Sequence, residues 1–193
     1  MDLTSFFQAE FSEHNDVALR TEAELSHAFV ELVGACVRCV RAGGKLMFFG
    51  NGGSAADAQH LAAELTVRYK LSRSAIAAIA LTTDSSAITA AANDLGFERI
   101  FARQIEALGR QGDVAIAIST SCKSPNVIAA LKQARSMKLV TAALGGKGGG
   151  DVAGLADHFL VVPSDTTARI QEMHIILGQM LCGALEIELG LVS

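Results

Sequence analysis

The chain has 193 residues, with 16 Lys and Arg against 20 Asp and Glu, for a formal net charge of −4. That length suits one domain, and the acidic balance, with a pI of about 5.7, excludes a general electrostatic pull toward nucleic acid or anionic membrane. Half of the residues are apolar and the mean hydropathy is +0.35, which points to burial beyond one small core, most simply between subunits.

The opening stretch, MDLTSFFQAEFSEHND, is mixed polar and acidic. It lacks the basic and apolar regions of a signal peptide, and no stretch has the 18 or more apolar residues of a membrane span. A cytoplasmic location without direct nucleic-acid or membrane contact is expected. Helical spacing of apolar residues predicts two helices, 3–19 and 22–42, as an N-terminal helical extension over residues 1–42, with Gly43 and Gly44 as the stop. Cys36 and Cys39 form a C-x-x-C inside the second helix. No second pair completes a zinc site, so they read as buried core thiols.

The run 45–50 reads as a buried strand, followed by a glycine-rich turn and a helix over 54–69 with Ser54 as its cap. Further strands are expected at 75–81, 113–119, 139–145 and 158–163. Helices are expected at 84–92, 97–108, 124–136 and 166–190, with a glycine-rich loop at 145–150. Nearly all-apolar strands alternating with helices imply an α/β fold, a five-stranded parallel sheet covered on both faces. Ligands in such sheets sit at the carboxyl ends of the strands, which singles out the loops 50–54, 82–86 and 119–124.

The turn GNGGSAADAQH, 50–60, joins a strand to a helix. Its glycines let the backbone approach a ligand, and the helix N-terminus offers free N–H groups to an anion. It matches neither the dinucleotide fingerprint nor a Walker loop, and many tight turns look similar. The turn STSCKS, 119–124, is dense in hydroxyls: Ser119, Thr120, Ser121 and Ser124 can each donate to a phosphate oxygen. Capping by a single serine is the plainer reading, but four hydroxyls in six residues exceed what a cap needs. His60 and Glu64, four apart on a helix, share one face. They suit a metal, acid–base work or an ordinary exposed pair. The last helix carries Arg169, Gln171, Glu172, His174 and Gln179 among apolar residues.

GNGGSAADAQHLAAEL, ALTTDSSAITAAANDLGFERIFARQIEALG, GDVAIAISTS, SPNVIAAL and VPSDTTARIQEMH resemble the phosphoheptose isomerases of the sugar isomerase (SIS) family, over roughly residues 25–190. The resemblance implies a single SIS domain over residues 1–193. It also implies conversion of sedoheptulose 7-phosphate to D-glycero-D-manno-heptose 7-phosphate, toward the heptose of lipopolysaccharide. A homotetramer with sites between subunits is implied and, in many members, a bound zinc. By position, Asn51, Gly52, Gly53 and Ser54 line the sugar with Asn93 and Asp94. Ser119, Thr120, Ser121 and Ser124 hold the phosphate, and Glu64 is the catalytic base. His60, Glu64 and Gln171 match metal positions, and Gln171 also contacts substrate.

Two positions depart from the family pattern. The fourth metal position, a histidine that also moves protons, is Gln179 here, and an amide ligates weakly and exchanges no proton near neutral pH. His174 does not replace it. At ~100° per residue, Gln179 lies about 80° to one side of Gln171 and His174 about 60° to the other. Weak or partial zinc occupancy and a slower enzyme, or a different sugar, follow. Cys122 stands where the family usually has glycine. A positive φ there strains it by about 1 kcal/mol or more. The DiaA-like SIS proteins, tetrameric scaffolds for the replication initiator DnaA, resemble this family too and lack the late histidine. They also lose the helical glutamate, whereas Glu64 stands here with His60. Isomerisation is therefore the expected activity, and initiator binding the alternative.

Overall fold

The computed structural model describes residues 2–192. It opens on α1 (Leu3–Arg41), then β1 (Leu46–Gly50), α2 (Gly53–Thr66), β2 (Ala78–Ala80) and α3 (Ser85–Leu95). A 3-10 turn (Phe97–Arg99) leads into α4 (Ile100–Leu108), β3 (Val114–Ile118), α5 (Pro125–Ser136) and β4 (Val140–Gly145). A second 3-10 segment (Lys147–Val152), β5 (His158–Val161) and α6 (Thr167–Glu188) complete the chain. The five strands are all parallel, in the order β2-β1-β3-β4-β5. No helix is long and apolar enough to cross a membrane among the described residues.

The strands are apolar throughout because both faces are covered. Leu46 and Phe48 of β1 and Val114, Ile116 and Ile118 of β3 point to one core, shared with α1, α2 and α6. Met47, Phe49, Ala115 and Ala117 point the other way, to a core shared with α4 and α5. The two-residue period of a strand feeds both cores from one run.

Helix α1 is one helix, where the sequence reading expects two. The polar stretch Arg20–Glu22 contains no glycine or proline to break it. Arg20 pairs with Asp16 one turn back, and Thr21 is buried. Asp2 caps the start by accepting from the Thr4 and Ser5 N–H groups, and Arg38 and Arg41 sit in the last turn, where cations suit the dipole. Strand β2 is shorter than expected because it lies at the sheet edge and pairs only with β1. Ser54 is not the cap of α2. Gly52 takes that place at φ 56°, ψ −121°, a conformation side chains avoid. This moves the cap two residues upstream and puts Ser54 inside the first helical turn, buried. The expected loop 145–150 runs into the second 3-10 segment, with Gly148, Gly149 and Gly150 all at positive φ. The C-x-x-C thiols are free and buried. Burial pushes the Cys39 thiol up to about 11 and raises Cys36 further, so both are inert.

Candidate active site

In this strand order the chain reverses direction across the sheet between β1 and β3, and a crevice opens at their carboxyl ends. The glycine turn follows β1 and the hydroxyl turn follows β3. Gly50 pairs with Ile118, and a Cβ on Gly50 would lie 2.5 Å from the Ile118 carbonyl oxygen. Only glycine lets the two strand ends close so tightly. Across the crevice Asn51 and Asn126 exchange side-chain amides: Asn51 Nδ2 donates to Asn126 Oδ1 at 2.9 Å, and Asn126 Nδ2 donates back at 2.8 Å.

The hydroxyl turn is held by its own backbone. Ser119 Oγ accepts from Cys122 N–H at 3.1 Å, and Ser121 Oγ accepts from Lys123 N–H at 3.3 Å. Both hydroxyl hydrogens stay free to donate outward. Ser124 stands at the N-cap of α5, but its side chain caps no N–H. Asn126 Oδ1 and the Ser124 carbonyl take the Val127 N–H instead, so serine capping does not account for the hydroxyls. Cys122 sits at φ 52°, the strained conformation expected for the family's glycine position. Its thiol is buried, donates to the Ser119 carbonyl at 3.2 Å and is raised by that burial.

Helices α2 and α6 lie side by side, running the same way. A Cβ on Gly53 would meet Gln171 Nε2 at 2.7 Å, and a Cβ on Gly178 would meet Leu61 Cδ1 at 2.5 Å. Further along, Glu186 accepts from Arg73 and from Tyr69 N–H. Arg73 and Glu186 are both buried, and Arg73 also donates to the carbonyls of Glu64 and Leu65 at the end of α2. This register puts Gln171 on the glycine turn. His60 Nε2 and Glu64 Oε1 are 3.0 Å apart, Glu64 half-buried and His60 more open, and Gln179 falls at their level. By helix rise, Glu64 is roughly 16 Å along α2 from Gly53.

One protomer therefore holds two groups, not one. The glycine turn, the hydroxyl turn and Gln171 cluster at the crevice, and His60, Glu64 and Gln179 lie about two to three turns away. Asn93 Nδ2 donates to Asp94 Oδ1 at 2.7 Å at the exposed end of α3, whose following 3-10 turn packs on α5. Among the described residues no three His, Cys, Asp or Glu side chains gather about one point. Zinc takes about four donors; one protomer offers one imidazole and one carboxylate, bonded to each other. These two side chains alone do not fit a four-donor zinc site.

His174 is buried inside α6, where Nε2 donates to the Gly145 carbonyl at 3.0 Å, and burial pushes its pKa down to about 4. It ties α6 to β4 and has no exposed surface. The sequence reading missed two residues. Asn126 follows the hydroxyl turn in SPNV, at the start of a helix, where an amide caps. Asp57 lies one turn before His60, and the spacing 57, 60, 64 marks one helix face. Burial holds the Asp57 carboxyl above its usual range, and His60 opposes this.

Residues 11–146 match the family model for the SIS domain. The phosphoheptose isomerase of Paramagnetospirillum magneticum is 57% identical over 96% of this chain and 97% of its own length. That of Campylobacter jejuni is 52% identical over 93% and 96%. The structure of phosphoheptose isomerase GmhA from Neisseria gonorrhoeae superposes with a TM-score of 0.91 at 42% identity, covering 96% of this chain and 99% of that one.

Proposed function

The chain belongs to the SIS-domain family and within it to the phosphoheptose isomerases, which are aldose–ketose isomerases; from that premise we propose that it interconverts sedoheptulose 7-phosphate and D-glycero-D-manno-heptose 7-phosphate, in the cytoplasm, toward the heptose of lipopolysaccharide. The observation that carries this reading is the pairing of a hydroxyl-rich turn with a glycine turn across the β1–β3 crevice. Ser119, Thr120, Ser121 and Ser124 hold the phosphate. Asn51, Gly52, Gly53, Ser54 and Gln171 line the sugar, joined by Asn93 and Asp94.

Glu64 is the base. The His60 N–H fixes one carboxylate oxygen, leaving the other to take the proton from C1. The electron pair left at C1 forms the C1–C2 double bond as the C2 oxygen takes up charge. The same carboxyl returns the proton to C2, and the O1 hydrogen passes to O2, which completes the aldose. One group serves both carbons because they are adjacent. Gln179 polarises an oxygen and moves no proton, so turnover is slower than with a histidine there.

The separation of Glu64 from the crevice supports a homotetramer in which a second copy brings its Glu64 to the sugar. Exposed apolar side chains support it too: Phe6, Phe7 and Phe11 on α1, and a groove of about 420 Å³ between α1 and α6 lined by Leu25, Phe29, Val30, Ile176 and Met180. Zinc binds weakly, because His60 is the one strong nitrogen donor and amides are poor zinc ligands. Assay of the purified protein with sedoheptulose 7-phosphate, with and without zinc, tests the activity; no turnover in either contradicts it. Light scattering at micromolar concentration tests the assembly, and a 20 kDa species contradicts it. Metal analysis after dialysis, with Gln179→His retaining more zinc, tests the site; stoichiometric zinc in the unaltered protein contradicts it.

A further inference from the structure

We propose that Asn126 is a positioning residue that sets the spacing between the two halves of the substrate crevice by clamping Asn51. The inference rests on the reading of the hydroxyl turn as the phosphate site and the glycine turn as the sugar site. It adds a residue that touches neither ligand.

Asn126 is almost fully buried, at 2% exposure, so water does not substitute for its partners. Its Oδ1 accepts from its neighbour's backbone, Val127 N–H, at 2.9 Å. That bond settles which way the amide points, an assignment otherwise open for any asparagine. With Oδ1 committed to Val127 and to Asn51 Nδ2, Asn126 Nδ2 faces Asn51 Oδ1. The orientation of Asn51 follows from it. Asn51 spends one N–H and one lone pair on the clamp and keeps one of each for a sugar hydroxyl. The sugar-facing amide is thus set by a residue at the start of the phosphate helix α5.

Among the described residues these two bonds are the only side-chain hydrogen bonds between residues 50–54 and residues 119–126. They bridge the point where β1 and β3 diverge. A seven-carbon sugar phosphate carries its phosphate at C7 and reacts at C1 and C2, so the spacing of the turns decides where the reacting carbons fall. Misplacement by about 1 Å costs rate much more than binding. Loss of the clamp therefore acts on kcat, through Asn51, and leaves the phosphate turn intact.

The test is a double-mutant cycle on the full chain, reading kcat and KM for sedoheptulose 7-phosphate and inhibition by inorganic phosphate. Asn126→Ala is expected to lower kcat ten- to hundredfold, to raise KM less than fivefold and to change phosphate inhibition less than twofold. In an Asn51→Ala background the same change is expected to lower kcat less than threefold, because the residue it acts through is gone. Equal losses in both backgrounds, or a loss confined to phosphate inhibition, overturns the clamp while leaving the isomerase reading standing. No turnover in the unaltered protein overturns that reading, and the clamp with it. Should Asn126→Ala melt below the assay temperature, Asn126→Asp serves. It keeps the acceptor for Val127 N–H and sets a carboxylate oxygen, in place of the donor, against Asn51 Oδ1; the clamp is broken, and the same background dependence is expected or refuted.

Discussion

The hydroxyl turn and the seam between α2 and α6 are built in opposite ways. The turn is six consecutive residues bonded to one another, with Ser119 and Ser121 accepting from the backbone two or three positions on. The seam is made by residues distant in the chain: Gly53 under Gln171, Gly178 against Leu61, Arg73 against Glu186. Local chemistry fixes the first, and tertiary register fixes the second. In the proposed mechanism the turn holds the phosphate and the seam carries the base, and substitutions should separate the two.

The largest effect belongs to the seam. Glu64→Gln should lower turnover by at least roughly 10²–10⁴, the contribution of a placed proton-transfer group, with phosphate inhibition unchanged. Equal loss of both would mean the two regions are not separable. Next is the tie from α6 to β4. His174 titrates near 6.5 when unfolded, whereas the folded protein holds it down to about 4. The unfolded chain binds that proton first, so stability is full above pH 6.5 and falls as pH drops toward 4, by up to about 3 kcal/mol. His174→Gln keeps a donor for the Gly145 carbonyl and cannot titrate. Urea melts at pH 7 and pH 4.5 should show a smaller difference in the variant, and an equal difference would place the pH sensitivity elsewhere.

On the turn, Ser121→Ala should weaken sugar-phosphate binding from a few-fold to a hundredfold, since a hydrogen bond to a charged group is worth about 1.5–3 kcal/mol. Calorimetry reads it, and unchanged affinity would move the phosphate away from the turn. Gly178→Ala pushes a methyl into Leu61 and should destabilise by about 1–3 kcal/mol. Turnover should fall with it while the turn keeps its phosphate affinity. Smallest is Cys122→Gly. Relief of a positive φ is worth about 1 kcal/mol and roughly offsets the lost thiol contacts. The melting temperature should move by only a few degrees, and a large drop would show that the thiol, not the strain, dominates.

The same contrast explains what could be read from the sequence. The five strands and the turn were legible because apolar runs, glycines and clustered hydroxyls act over a few residues. The strain at Cys122 is expected only from the resemblance, which puts a glycine at that position, and its φ of 52° bears that out. The continuity of α1 was not legible, because the polar residues at 20–22 look like a break until Asp16 and the burial of Thr21 are seen. The α2 cap falls on Gly52, not Ser54, because the chain takes a positive φ there, and the sequence does not say which glycine of the turn takes it. Asn126 was missed for a related reason: its partner Asn51 is distant in sequence and neighbouring in space. That Gln171 lies beside Gly53, about three turns of α2 from Glu64, emerges only from the register of α6 on α2.

The central claim is that Glu64 alone moves the proton between adjacent carbons of a sugar phosphate. Incubation with sedoheptulose 7-phosphate in deuterated water, followed by NMR, measures exchange of the C1 hydrogen directly and needs no net conversion. The account predicts exchange in the unaltered protein, none in Glu64→Gln and faster exchange in Gln179→His. Exchange that survives Glu64→Gln would contradict the single-base mechanism, and its absence from both the unaltered protein and Gln179→His would contradict the isomerase itself.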